Sequence, residues 1–170
     1  MSKFLLLITI SIFFIGCGNK YPDLPTVNNV DIQKYKGTWY EVARFEHFFE
    51  RGCKNVSATY KLKEDGDIKV INKCTNIDDN ESKEAFGIAY PTDKTNSKLK
   101  VSFFRPFYGD YYIIDLADDY SYALVGSPSR ELLWILSRTK TMNIETKHKI
   151  LKIAQKNGFD TNKFLWTIQE

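Results

Sequence analysis

Few side chains in this 170-residue chain could do chemistry, and their spacing argues against most of it. The two histidines, His47 and His148, are too few and too far apart in sequence to suggest a metal site, so no metal is expected. Gly126-Ser127-Pro128-Ser129 reads as a turn and not as a strained nucleophile elbow. No glycine-rich phosphate loop is present. Asp78-Asp79, Glu81 and Asp118-Asp119 fall between apolar runs and read as solvated turn acids rather than a catalytic carboxylate pair. The expectation is therefore no catalytic residue and no cofactor. What remains is sulfur: Cys17, Cys53 and Cys74.

Cys17 closes a leader. Lys3 supplies a positive start, and Phe4 to Ile15 is almost unbroken apolar sequence, too short to favour a stable transmembrane helix. Phe14-Ile15-Gly16-Cys17 is similar to the bacterial lipobox, in which a small residue precedes a cysteine that becomes lipid-modified and N-terminal after cleavage. Ile15 departs a little from the usual small residue at its position. Gly18 follows, where an aspartate would favour retention in the inner membrane, so the expected location is the bacterial outer membrane, facing the periplasm. Several acyl chains on one residue make a firm membrane anchor. The expected organisation is a signal peptide over 1–16, a lipidated N-terminus and polar tether over 17–34, and one folded domain over 35–170. Loss of residues 1–16 removes only Lys3, taking the formal charge from +3 to +2. That is no footprint for nucleic acid.

The elements that must position any site read as strands. Alternation of period two runs from Trp39 to Phe45, Val56 to Lys63, Ile68 to Lys73, Ala85 to Tyr90, Leu99 to Phe103, Tyr111 to Leu116, Tyr122 to Val125 and Leu132 to Arg138. Asp65-Gly66 is a hairpin signal, and Pro106 with Gly109 is expected to break the chain before the sixth strand. Asn143 is a plausible N-cap for a helix whose stripe runs through Ile144, Leu151 and Ala154, flanked by Ile150 and Ile153, and Asn157-Gly158 ends it. Tyr40 and Val42 are candidate partners for that stripe, and Phe164 to Ile168 could add an edge strand. The fold class is all-β: an eight-stranded antiparallel up-and-down β-barrel with one C-terminal α-helix packed outside, because closure removes exposed edges.

Cys53 and Cys74 flank the Asp65-Gly66 hairpin, so they fall near one end of neighbouring strands. An exported domain sits in an oxidising compartment, which favours a disulfide. Strict alternation objects, since Cys53 shares parity with outward Ser57 and Cys74 with inward Val70; a bridge would need a bulge or loop geometry there. The alternative is a reactive thiol acting on a lipid-derived substrate.

Gly37-Thr38-Trp39-Tyr40-Glu41-Val42-Ala43-Arg44-Phe45, Phe49-Glu50-Arg51-Gly52, Val101-Ser102-Phe103-Phe104, Pro106-Phe107-Tyr108-Gly109, Asp119-Tyr120 with Ala123-Leu124-Val125, and Leu133-Trp134-Ile135-Leu136-Ser137-Arg138-Thr139 follow one another along the chain. This ordered set resembles the bacterial lipocalins of the outer-membrane lipoprotein type, related to the apolipoprotein D group. The Thr-Asp-Tyr form of the second signature is only partly kept. The resemblance implies structural roles for Gly37, Trp39 and Arg138, with Trp39 plugging the closed end of the barrel and Arg138 lying over its ring. Glu41 shares the face of Trp39; if buried it needs a partner, such as Arg138 or a tyrosine hydroxyl.

Function then falls to the cavity lining. The inward faces read as Phe45, Val56, Ala58, Tyr60, Val70, Val101, Phe103, Tyr112, Ile114, Trp134 and Leu136. This apolar cup suits an acyl chain with its polar head near the mouth, where Arg51, Lys54 and Arg105 could meet a phosphate or carboxylate. The same side chains could instead fill a small barrel, which would make the protein an envelope scaffold. The resemblance favours a non-enzymatic lipid carrier for fatty acids or lysophospholipids, serving membrane maintenance under stress, with the membrane itself and a second copy of the chain as further candidate partners.

Overall fold

The computed structural model describes residues 21–170. The leader and Cys17 lie outside the described residues. Nine strands form one sheet: β1 (Gly37–Phe45), β2 (Cys53–Leu62), β3 (Ile68–Asn76), β4 (Ser82–Pro91), β5 (Lys98–Phe104), β6 (Phe107–Leu116), β7 (Tyr122–Gly126), β8 (Leu133–Ser137) and β9 (Phe164–Trp166). Each pairs antiparallel with its sequence neighbour from β2 to β8; β1 pairs with β8 on one side and β2 on the other, which closes an eight-stranded barrel. β9 adds to the upper part of β1, opposite Ala43, Arg44 and Phe45. Helix α1 (Ile32–Tyr35) lies below β1, capped by the Asp31 carboxylate, and α2 (Ile144–Lys156) lies outside. Asn143 caps α2 by accepting from the Thr146 N–H, as its sequence position predicts. Asp65-Gly66 turns the β2–β3 hairpin with Gly66 at φ 88°, a conformation that costs glycine nothing. The chain does not break at Gly109: a tight turn at Arg105-Pro106 lets β6 begin at Phe107, and Gly109 sits inside it.

Two cores result. The inner one gathers on Trp39, Ile113, Val125 and Leu136 at the closed end. The outer one buries Ile150 and Ala154 of α2 against Val42, Ala43, Phe45, Leu124, Leu133 and Ile135. Tyr40 is not part of it.

β1 changes face midway. Glu41 opposes Leu136 but Ala43 opposes Ile135, so Val42 is an extra residue in the strand. Beyond this bulge Arg44 points inward and Phe45 outward, into the α2 core. Phe45 therefore does not line the cavity. A second irregularity lies between Ile113 and Asp115 in β6. Ahead of it Tyr111 and Ile113 join the inner core, while Ile114, with Tyr112 packed beside it, belongs to the α2 side. Tyr112 and Ile114 are thus also outside the cavity. The Val42 bulge resets the inside-outside phase of β1, which plain alternation cannot see, whereas β6 alternates regularly from Tyr111 to Ile114 with the parity opposite to the one expected.

The segment read as a polar tether is, from residue 21 to 34, docked on the barrel. Leu24 and Val30 are buried, the Val27 N–H donates to the Ile113 carbonyl at 3.0 Å, and the Val30 N–H to that of Thr95 at 2.8 Å. Three apolar residues at three-residue spacing, Leu24, Val27 and Val30, give this extended strap enough to bury.

Candidate functional site

The barrel encloses a cavity of about 410 Å³, open at the end where β1 finishes and β2 begins. Val56, Ala58 and Tyr60 of β2, Val70 of β3, Val101 and Phe103 of β5, and Trp134 and Leu136 of β8 all line it, eight of the eleven residues expected. Phe103 can lie flat across the wall because Gly87 faces it; a Cβ there would come within 2.9 Å of the ring and of the Ser102 carbonyl.

The floor is built of aromatic rings. Tyr111 Oη lies 2.7 Å from Tyr35 Oη and 2.9 Å from Tyr60 Oη, so three hydroxyls satisfy one another in an apolar setting. Burial pushes the Tyr60 hydroxyl up to about 12 and those of Tyr35 and Tyr111 well above their ordinary value, so all three stay neutral. Beneath them Trp39 is wholly buried and donates from Nε1 to the Tyr35 carbonyl at 2.8 Å. The Arg138 guanidinium lies 3.8 Å from the Trp39 ring and donates to the carbonyls of Lys34, Tyr35, Lys36 and Thr38. Gly37 stands below it at φ 100°, with room for a Cβ only 3.3 Å from the Arg138 Nη1. Gly37, Trp39 and Arg138 seal one end and do not line the open cavity, whereas Tyr60 and Tyr111 above them do.

One wall carries charge. Glu41 and Glu50 both line the cavity. Arg44 donates to the Glu41 carboxylate at 2.7 Å and to the Glu50 carbonyl at 2.8 Å. The Thr167 hydroxyl also donates to Glu41. Burial first, and the nearby Glu50 charge second, push the Glu41 carboxyl up to about 7 despite Arg44. Burial also raises Glu50, but His47 at 3.0 Å, the Trp134 indole N–H at 3.3 Å and Arg44 outweigh it, and its carboxyl sits below its ordinary value. The partner of Glu41 is thus neither Arg138 nor a tyrosine. The three-residue spacing of Glu41 and Arg44 could not reveal the pair, because alternation puts them on opposite faces and only the Val42 bulge brings them together.

At the mouth Phe49, Phe104, Phe107, Tyr108 and Leu132 also line it. Arg51 and Arg105 are exposed there, but Lys54 is turned aside by Glu170 at 3.0 Å. Among the described residues no three His, Cys, Asp or Glu side chains converge as a metal would need. Cys53 and Cys74 are disulfide-bonded, with Cα atoms 5.5 Å apart. In β2, Asn55 and Val56 together oppose the single position 74, and Asn55 adopts φ 53°. This bulge turns Cys53 to the face of Cys74, and the bond leaves neither sulfur free as a nucleophile.

The family profile of the lipocalin-like domain matches residues 30–169. The chain is a lipocalin. It is 47% identical over 164 residues to the outer membrane lipoprotein Blc of Escherichia coli K12, covering 95% of this chain and 93% of that one. It is 34% identical to mouse apolipoprotein D, covering 88% and 82%. Its fold superposes on insecticyanin of the tobacco hornworm with a TM-score of 0.71 at 20% identity, covering 88% and 86%. As a lipocalin of the outer-membrane lipoprotein group, the protein is lipid-anchored at the outer membrane. Lipocalins bind small hydrophobic ligands, and this one is a binding protein, not an enzyme.

Proposed function

We propose that this lipocalin takes up the acyl chain of a fatty acid or lysophospholipid and stores or carries it in the cell envelope, for membrane maintenance that includes stress, while Cys17 holds it to the membrane. The observation that carries this reading is the open, apolar, aromatic-floored cavity of about 410 Å³. Its chemistry suits methylene groups, each contributing about 0.8 kcal/mol on burial. The depth of the cavity offers an anionic head group only apolar rings and a wall whose Glu41 and Glu50 are already paired with Arg44, so the tail enters first and the head stays beside Phe49 and Phe107. No bond is made or broken. An interior this open argues against a filled scaffold.

Native mass spectrometry of the folded protein with lysophospholipids of increasing chain length tests the reading. Bound lipid should appear, and affinity should rise about fourfold per added methylene until the cavity is full. Absence of any bound species at micromolar lipid would overturn it.

A further inference from the structure

Four loops ring the mouth in the order 46–52, 77–81, 105–106 and 127–132, set by the order of the strands. Two of them face each other across the opening and carry paired, exposed phenylalanines. Phe48 is 83% exposed with its ring 5.3 Å from that of Phe49; Phe104 and Phe107 are 75% and 71% exposed and stack at 6.2 Å. Rings turned to solvent in this way mark an interaction surface. Arg105 and Arg51, the latter 3.5 Å from the exposed Glu46 carboxylate, stand next to the two pairs and are exposed as well.

A third loop receives the N-terminal strap. From Val30 at the closed end the chain climbs the outside of the barrel, and at its top Arg130 donates to the Pro22 carbonyl at 2.9 Å with its guanidinium 5.2 Å from the Tyr21 ring. Cys17 is four residues further upstream. Four residues reach at most about 14 Å, so an acyl anchor on Cys17 stays near the mouth end of the barrel. The fourth loop, with Asp78, Asp79 and Glu81, is acidic and lies half a turn of the barrel away from Arg130.

From these two independent features, where the chain exits and where the rings are exposed, we infer that the anchored barrel rests mouth-down on the lipid surface. It leans toward the 127–132 loop. Phe48, Phe49, Phe104 and Phe107 enter the interfacial layer, where aromatic rings are favoured. Arg51 and Arg105 meet anionic head groups, and the acidic turn is held in water. A lipid tail leaving the bilayer then passes between the two phenylalanine pairs into the cavity without crossing bulk water.

The test uses the full-length lipidated protein, one copy per nanodisc, in phosphatidylethanolamine and phosphatidylglycerol with brominated acyl chains. Tryptophan is introduced by Phe107→Trp or by Asp79→Trp, and wild type supplies the background of the native tryptophans. The Phe107→Trp emission should be strongly quenched by bromine and the Asp79→Trp emission spared. Equal quenching of both, or none, would overturn the orientation. Protection of Phe107→Trp only when two copies share a disc would also overturn it, by making a second copy the occupant of the rim. Phe48→Trp gives the same reading should Phe107→Trp fail to fold. Because Phe107 also lines the mouth, where a brominated tail held in the cavity would quench it, Phe48→Trp, outside the lining, supplies the reading of depth that is independent of whether the cavity binds lipid.

Discussion

Replacing Arg138 tests the floor of the barrel. The guanidinium lies flat over the Trp39 ring at 3.8 Å and donates to four backbone carbonyls that gather α1 under the barrel. A partly desolvated cation–π contact is worth about 1–2 kcal/mol. Three of the four carbonyls, those of Lys34, Lys36 and Thr38, are bonded at the exposed edge and regain water when the arginine is lost. The contact to the Tyr35 carbonyl at 3.1 Å is partly buried, and a charge-assisted bond of that kind contributes about 2 kcal/mol. Arg138→Met should therefore cost about 4 kcal/mol and lower the melting temperature by roughly 10 °C for a domain of this size. Arg138→Lys keeps the charge but not the flat fork, and should fall between the two. Thermal and urea unfolding with the disulfide intact give the values. A cycle with Trp39→Leu, which removes the π face, isolates the pair, and a coupling of about 1 kcal/mol or more is expected. Additivity within about 0.5 kcal/mol would refute the claim that the ring and the guanidinium act together. Lipid affinity should be unchanged in Arg138→Lys, since the floor lies below the cavity.

Glu41 titrates near pH 7 in the folded protein and near 4.5 unfolded, so the stability tied to its neutral form is complete below about pH 4.5 and is lost as pH rises through 7. Glu41→Gln should remove a loss of about 3 kcal/mol, making the variant gain on wild type between about pH 5 and pH 8 in urea titrations; parallel curves would refute the burial argument. Cys53→Ser with Cys74→Ser should lower stability by about 3 kcal/mol, the value for a bridge across a sequence separation of 21, and mass spectrometry of non-reduced peptides should find the two joined in wild type. Ala58→Phe projects a ring into the cavity opposite Asn72 and should weaken long-chain lipid binding about tenfold or more in a fluorescence titration while the melting temperature stays close to wild type. Unaltered binding would mean that lipid sits elsewhere.

The hairpin at Asp65-Gly66, the helix from Asn143 to Gly158 and the succession of strands were all legible, because turn chemistry, caps and period two are local properties. The cavity lining was legible wherever a strand stays in phase, as from Ala58 to Tyr60 or from Trp134 to Leu136. It failed at Phe45, where an extra residue at Val42 exchanges the two faces, and at Tyr112 and Ile114, where β6 alternates regularly but with the parity opposite to the one expected. No local residue pattern announces the Val42 bulge. The same bulge hid the Glu41–Arg44 pair. The strap was misread for a different reason: its prolines and asparagines signal a linker, and only the barrel wall shows that Leu24, Val27 and Val30 have somewhere to go.

Between β1 and β2 the direct pairing stops at Tyr40 and Ser57. Above that point the seam is filled by residues 167–169: the Thr167 N–H donates to the Val42 carbonyl, and the Gln169 side chain bridges the carbonyls of Glu41 and Val56. These contacts join positions more than a hundred residues apart, and their latter halves are translated after every barrel strand. The upper seam is therefore completed only by residues that lie far along the chain from the strands it joins, which makes its closure a non-local part of the barrel's assembly, set apart from the local hairpin pairings below it.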